Sequence, residues 1–272
     1  MMKEQTDNGR AAQRITYVGH ATVLIEMDGA RLLTDPVLRG HLAHLAHRTR
    51  HMPLADFQDI DAVLISHLHW DHLDWPSLDR LGRHIRLIVP GDSAVYFARQ
   101  GFTNVEELRA NEETAVNGLK IRATPAVHDG RRHPKGPSAQ PNGYLVDGRR
   151  TIYFAGDTDI FPEMADLSAQ LDVALLPVWG WGPTLGKGHL DPERAALALT
   201  LLRPQIAIPI HWGALHPIGM GLFNPAFLRL PPLAFARRAA ELAPEVHTHI
   251  LSLGDTLSLV GINAANNGAP VG

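Results

Sequence analysis

Ser66-His67-Leu68-His69-Trp70-Asp71-His72-Leu73-Asp74 follows directly on the apolar run Ala62-Val63-Leu64-Ile65. The apolar run reads as a β-strand buried on both faces, because branched side chains suit a pleat covered from either side. The histidines and aspartates after it therefore stand on the turn that leaves a rigid strand. Neutral imidazole and carboxylate are donors that zinc, iron and manganese accept. His67 and His69, two residues apart, can point to one side of an extended turn, while Asp71 and His72 reach a second point nearby. One short loop can thus supply parts of two adjacent metal sites. The competing reading is a solvated, His-rich loop that binds metal only incidentally.

Further strand-like runs place more donors at their ends. Ile121 to His128 closes on a histidine, Thr151 to Thr158 on Gly156-Asp157-Thr158, and Ile206 to Gly213 carries His211. Open α/β sheets form their ligand crevices at the C-terminal ends of strands. Each of these residues alone has an ordinary role: a core histidine for His128 or His211, a turn residue for Asp157. Their joint placement is what singles them out.

The pattern His-X-His-X-Asp-His after a strand, followed in order by His128, Asp157 and His211, resembles the signature of the metallo-β-lactamase superfamily. The flanks Tyr17 to Ile25, Leu33-Thr34-Asp35-Pro36, Gly188 to Ala196 and Ile210-His211-Trp212-Gly213 are similar to one branch of it. That branch contains N-acyl-phosphatidylethanolamine phospholipase D and ascorbate-6-phosphate lactonase. The resemblance spans roughly residues 14 to 261 and implies an α/β fold, the four-layer αββα sandwich. It puts His67, His69 and His128 on one divalent metal and Asp71, His72 and His211 on another, with Asp157 bridging. Zinc is the default, and manganese, iron or nickel suit the same donors. Asp71 and Asp157 would then serve catalysis as well as metal holding. A shared water acidified by the two metals would attack, so the implied chemistry is hydrolysis, of a phosphodiester or alternatively of a lactone. Flavo-diiron relatives usually place a glutamate where His69 stands, and a non-catalytic relative would be expected to have lost ligands.

Composition agrees with a globular enzyme. Of 272 residues, 45% are hydrophobic and 19% charged, and the formal net charge is −3. That balance argues against a nucleic-acid binder, which would carry a basic face. There is no cysteine, so disulfides and thiolate ligands are excluded and a zinc site must be built from His and Asp. No apolar run approaches the ~20 residues of a membrane span, and Met1 to Gln13 lacks an apolar signal core. The expectation is a cytoplasmic protein acting on a small or lipid-like anionic substrate, with a homo-oligomer possible. Residues 1–13 and 262–272 read as flexible ends around one domain over 14–261.

Helices are expected over Pro76 to Leu81, Ser93 to Gln100, and from Asp191-Pro192-Glu193 to Leu202. The last has an N-cap aspartate and proline at the first helical position, and Pro204 ends it. His189, just before that cap, is read as a group that donates to the substrate's anionic oxygen or protonates the leaving group. The helix end would present free N–H groups to the same place. The alternative for His189 is a surface histidine. His20 either belongs to the site or buttresses the sheet. Asp35 either orients a ligand histidine or is a turn residue before proline. Arg39 to His51 reads as a solvated loop or short amphipathic helix, or else a basic flap. The glycine- and tryptophan-bearing loop Val178 to Gly188 reads as a lining of the pocket, with a simple packed loop as the alternative. Pro217 to Leu233 reads as a core or dimer-contact segment rather than a lipid-binding lip.

Overall fold

The computed structural model describes residues 12–48, 54–133, 135–167, 171–220 and 226–261. Residues 1–11 and 262–272, expected to be loose ends, lie outside these, as do Arg50 and His51 of the 39–51 segment. Gln13 departs from that expectation. It is buried, and its carbonyl accepts the Leu259 N–H at 2.7 Å.

The first sheet is built from β1 (Arg14–Gly19), β2 (Thr22–Met27), β3 (Ala30–Thr34), β6 (Ala62–Leu64), β7 (Leu87–Pro90), β8 (Val105–Leu108) and β17 (Thr256–Ser258). Its order is β17-β1-β2-β3-β6-β7-β8. The second holds β9 (Glu113–Val116), β10 (Leu119–Pro125), β11 (Asn142–Asp147), β12 (Thr151–Phe154), β13 (Val173–Pro177), β14 (Ile206–Ile210) and β16 (His247–Thr248), in the order β16-β14-β13-β12-β11-β10-β9. Helices α1 (Trp75–Leu81) and α2 (Ala94–Arg99) cover the first sheet, and α3 (Pro192–Leu202) and α4 (Leu230–Leu242) the second.

Strand alternation explains the layering. In β6 and its extension, Ala62 and Leu64 face the core between the sheets, while Val63 and Ile65 face the layer of α1 and α2. In β13, Val173 and Leu175 face inward, and Ala174 and Leu176 lie under α3. A strand covered on both faces needs apolar residues at every position, and each fully buried Leu, Ile or Phe contributes ~1.5–3 kcal/mol. Small residues let a helix approach closely: Ala174 and Ala207 share a cluster with Ala195, Ala198 and Ala239. The result is the expected four-layer αββα sandwich.

The helix readings hold closely. Asp191 caps α3, its Oδ1 accepting the Arg194 N–H at 2.8 Å, and Arg203 closes it in the left-handed region at φ 45°. The free N–H groups expected there are partly spent, since Pro192 has none and Arg194 bonds Asp191. The 39–51 segment is a correction. Within its described part it is neither loop nor helix but a hairpin of β4 (His41–Leu42) and β5 (Leu45–His47), and β5 pairs with β15 (Leu215–Pro217). Pro217 to Leu233 also divides. Phe227 and Leu228 are buried whereas Ile218, Leu230 and Leu233 are exposed, and residues 221–225 lie outside the described set.

Strand direction sets where chemistry can gather. β3 and β6 run parallel, as do β12, β13 and β14. β1 reaches the direction of β3 through two antiparallel pairings, and β10 that of β12 in the same way. The C-terminal ends of β1, β3, β6, β10, β12 and β14 therefore share one rim.

A candidate metal centre

The rim collects the donors. After β6, the Ser66 N–H and hydroxyl bond the two oxygens of Asp35, which follows β3, at 2.7 and 2.5 Å. His69 O then accepts from His72 N at 3.1 Å and Leu73 N at 2.8 Å. This single helical turn swings Asp71 and His72 away from His67 and His69. Asp74 ends it as the N-cap of α1, accepting from Ser77 N. His128 arrives from β10, Asp157 from β12 after Gly156, and His211 from β14 at φ 62°. Gly156 sits at φ 60°, and a Cβ there would meet Ser66 Cβ at 2.6 Å, so the approach of β12 to the metal loop requires glycine.

Among the donor groups that result, His67, His69 and His128 form one, and Asp71, His72 and His211, joined by His20, form another; His128, Asp157 and His189 also stand within reach of one another, as do Asp35, His67 and His72. In the second group His72 Nε2 is 3.0 Å from His211 Nε2, and Asp71 Oδ2 is 3.8 and 3.6 Å from these nitrogens. In the first, His128 Nε2 is 3.0 Å from His69 Nδ1. Asp157 stands between: its Oδ1 is 3.3 Å from His211 Nε2, and its Oδ2 is 3.2 Å from His72 Nε2 and 4.0 Å from His128 Nε2.

The outer ring nitrogens decide what the inner ones can be. Nδ1 of His211 is 2.7 Å from the Trp179 carbonyl, and Nδ1 of His128 is 2.7 Å from the Gly188 carbonyl. A carbonyl only accepts, so both Nδ1 atoms carry hydrogen. His72 Nδ1 donates to Asp35 Oδ2 at 2.7 Å. The Ser66 hydroxyl donates to Asp35 and so accepts from His67 Nδ1 at 3.0 Å. Each outer bond leaves an Nε2 free to present a lone pair inward. His67 Nε2 and Asp157 Oδ1 are buried with no hydrogen-bond partner. Buried acceptors left without a partner are costly unless a cation lies beside them. The donor set fits divalent metals, and the carbonyl and carboxylate partners are those that orient metal-binding imidazoles.

The electrostatics run the same way. Burial holds His67 well below the usual histidine range, and lowers His128 to about 4. It lowers His69 as well. These rings are neutral and free to coordinate near pH 7. Burial also opposes charge on His72, but Asp157, Asp71 and Asp35 outweigh it and hold His72 well above its ordinary value. The same negative field attracts a metal cation to that nitrogen. Burial likewise works against ionised Asp71 and Asp157. His72 and His20 nevertheless keep Asp71 well below the carboxylate range, and His211 and His72 do so for Asp157.

The remaining sequence candidates fall into place. His189 turns its Nε2 toward Asp157 Oδ2 at 3.4 Å, with Nδ1 at 3.2 and 3.1 Å from the carbonyls of Gly186 and Lys187. Asp35 does orient a ligand candidate, His72. His20 joins the site through Asp71 Oδ2 at 2.9 Å, and burial lowers it to about 3. Loop 178–188 contributes the Trp179 and Gly188 carbonyls as well as a wall. A cavity of about 510 Å3 opens over Asp157, His189, His69 and Asp71, walled by Leu42, Leu45, Trp70 and Trp181. His44 meets Trp181 edge-on at 5.8 Å, so hairpin and loop touch above the site. Sequence reasoning missed Ser66, the link between His67 and Asp35, and Arg132, which packs beneath the metal loop. Ser66 could have been suspected from its place beside the first histidine, whereas nothing local marked Arg132.

Comparison with known proteins identifies the family. Residues 30–212 match the family model described as Beta-lactamase superfamily domain. A UPF0173 metal-dependent hydrolase of Methanopyrus kandleri is 33% identical over 249 residues, covering 89% of this chain and 98% of that protein. N-acyl-phosphatidylethanolamine-hydrolyzing phospholipase D 1 of Caenorhabditis elegans is 32% identical over 230 residues, covering 75% of this chain and 64% of that one. Among solved structures, Igni18, a metallo hydrolase from Ignicoccus hospitalis, superposes with a TM-score of 0.69 at 26% identity, covering 90% of this chain and 97% of that one.

Proposed function

The chain belongs to the β-lactamase superfamily, among its metal-dependent hydrolases, and on that premise we propose that it hydrolyses a phosphodiester at a pair of divalent metal ions. His67, His69 and His128 would hold one ion and Asp71, His72 and His211 the other, with Asp157 reaching both. The observation that carries this reading is the inward convergence of the histidine Nε2 atoms on Asp157, with His67 Nε2 and Asp157 Oδ1 left unpartnered in a buried space. When bound, such a pair acidifies water and steadies the leaving oxygen.

The chain's own groups complete the chemistry. His189 lies outside both donor triplets yet faces Asp157 from the cavity side. Its Nδ1 is fixed by two carbonyls, so Nε2 is the atom able to hand a proton to the leaving oxygen or to steady an anionic one. The apolar wall of Leu42, Leu45, Trp70 and Trp181 suits an apolar group on the substrate, and among the described residues no lysine or arginine lines the cavity. A diester whose only charge sits at the reacting phosphorus fits such a lining better than a substrate with a second free phosphate. The similarity to an enzyme named for hydrolysing N-acyl-phosphatidylethanolamine supports the same class.

The test is metal analysis of the zinc-loaded protein together with turnover of bis(p-nitrophenyl) phosphate and of a lactone panel. Two metals per chain and diester turnover that vanishes in Asp157→Asn are expected. A firm limit of one metal would remove the dinuclear centre. Turnover of lactones alone would replace the phosphodiesterase by a lactonase.

A further inference from the structure

Arg132 is buried, 5% exposed, yet it makes no ion pair within 4 Å among the described residues. Its donors go chiefly to main chain, Nη1 to Leu68 O at 2.7 Å and Leu73 O at 3.1 Å and Nη2 to Leu73 O at 3.1 Å, while the Tyr96 hydroxyl accepts from the same side chain and Asp74 and Asp71 favour its charge from further away. The guanidinium lies 4.5 Å from the centre of the Trp70 ring, with Trp75 and Tyr96 at 5.6 and 5.9 Å. Burying a cation is costly unless its hydrogen bonds are met and its surroundings favour charge. Here one planar fork meets both carbonyls, and aromatic faces supply the rest.

The two carbonyls bracket the turn that carries His69, Asp71 and His72. Arg132 itself stands four residues after His128, on a loop with little freedom. Ala139 N bonds Gly130 O at 3.2 Å, and Arg132 N bonds Pro137 O at 3.0 Å. A Cβ on Gly130 would sit 1.7 Å from Ala139 O, so the loop closes too tightly there for any side chain. The guanidinium therefore fastens the segment that bears His128 to the turn that bears donors of both groups, and it backs Trp70, a wall of the cavity.

We propose that Arg132 is the positioning residue of the metal centre, setting the spacing of the His69–His72 turn against His128 so that both ions can be held. This rests on the reading of those residues as metal ligands. A lysine offers one flexible donor group in place of the fork and cannot span both carbonyls in the same plane.

The test is zinc titration of the metal-free protein, wild type against Arg132→Ala and Arg132→Lys, with circular dichroism confirming the fold. Loss of a group that supports ligands typically weakens metal binding about 10–100-fold, and both variants should show a loss of that order. Added guanidinium ion at millimolar concentration should restore zinc affinity to Arg132→Ala but not to Arg132→Lys, whose side chain fills the slot. A general loss of packing would not respond to guanidinium in this selective way. Zinc affinity equal to wild type in a folded Arg132→Ala or Arg132→Lys would overturn the proposal, as would failure of both variants to fold, which makes Arg132 a residue of general stability. Absence of stoichiometric zinc in the wild type would instead overturn the metal-centre reading itself.

Discussion

His20 lies against His211 with ring centroids 3.8 Å apart, and its Nε2 reaches Asp71 Oδ2 at 2.9 Å. One imidazole thus fixes two donors of the same group from behind, a nitrogen donor by a tilted ring contact at 37° and an oxygen donor by a hydrogen bond. It adopts φ 56°, a left-handed conformation uncommon outside glycine, although histidine, asparagine and aspartate enter it more often than other residues.

Replacing His20 by alanine should therefore weaken the Asp71, His72 and His211 site selectively. Zinc analysis is expected to fall from two ions toward one, with the His67, His69 and His128 site retained. Equal loss at both sites, or no loss, would show that His20 only fills space.

His189 makes a different prediction. Because it faces Asp157 from the cavity side and belongs to neither donor triplet, His189→Ala should keep its metal content. General acid or base assistance is typically worth about a hundredfold or more, so kcat should fall by that order with KM little changed. A rise in KM at constant kcat would make it a binding contact only.

Metal removal should cost much of the stability. Ions bound to the folded chain alone stabilise it by about 4 kcal/mol at a concentration a thousand times Kd. At roughly 2–4 °C per kcal/mol for a chain of somewhat smaller size, chelation should lower the melting temperature by roughly 8–16 °C for one ion. A melting curve indifferent to chelator would contradict the buried donor cluster.

His47 supplies a pH dependence away from the metals. Burial lowers its affinity for protons, only partly offset by the Arg39 carbonyl at 2.9 Å and by Asp74, so the folded form keeps it neutral. The unfolded chain takes up a proton near pH 6.5. Its contribution to stability is then full above about 6.5 and is lost as pH falls from there toward the folded value, because the unfolded state binds more protons in that window. Denaturant titrations of wild type and His47→Gln should converge or cross on acidification. A difference independent of pH would place the charge change elsewhere.

The legible parts of the molecule were local. Ala62 to Ile65 declared a doubly covered strand because all four residues are apolar, and Asp191-Pro192 declared a helix start by cap chemistry. The hairpin at 41–47 was not legible. Its two-residue turn carries Ala43 at φ 50° rather than the Asn-Gly or Asp-Gly that marks such turns, and the partner strand β15 lies far along the chain. Arg132 escaped notice for a similar reason: its acceptors are backbone carbonyls, which every residue has. That the sheets form a sandwich came from the resemblance, since alternation shows which residues are covered but not by what.

The sorting of strand ends onto one rim has a practical consequence at the other. The turn between β9 and β10, at Asn117 and Gly118, lies at the N-terminal end of β10 and so on the opposite rim; both residues are exposed, and nothing stands within 4 Å of a Cβ built on Gly118. A folded reporter grafted between them would grow into solvent, a full strand length from the donors. The same chain could thus carry a fluorescent or affinity module without touching its chemistry, and the far rim becomes a handle by which the site can be watched.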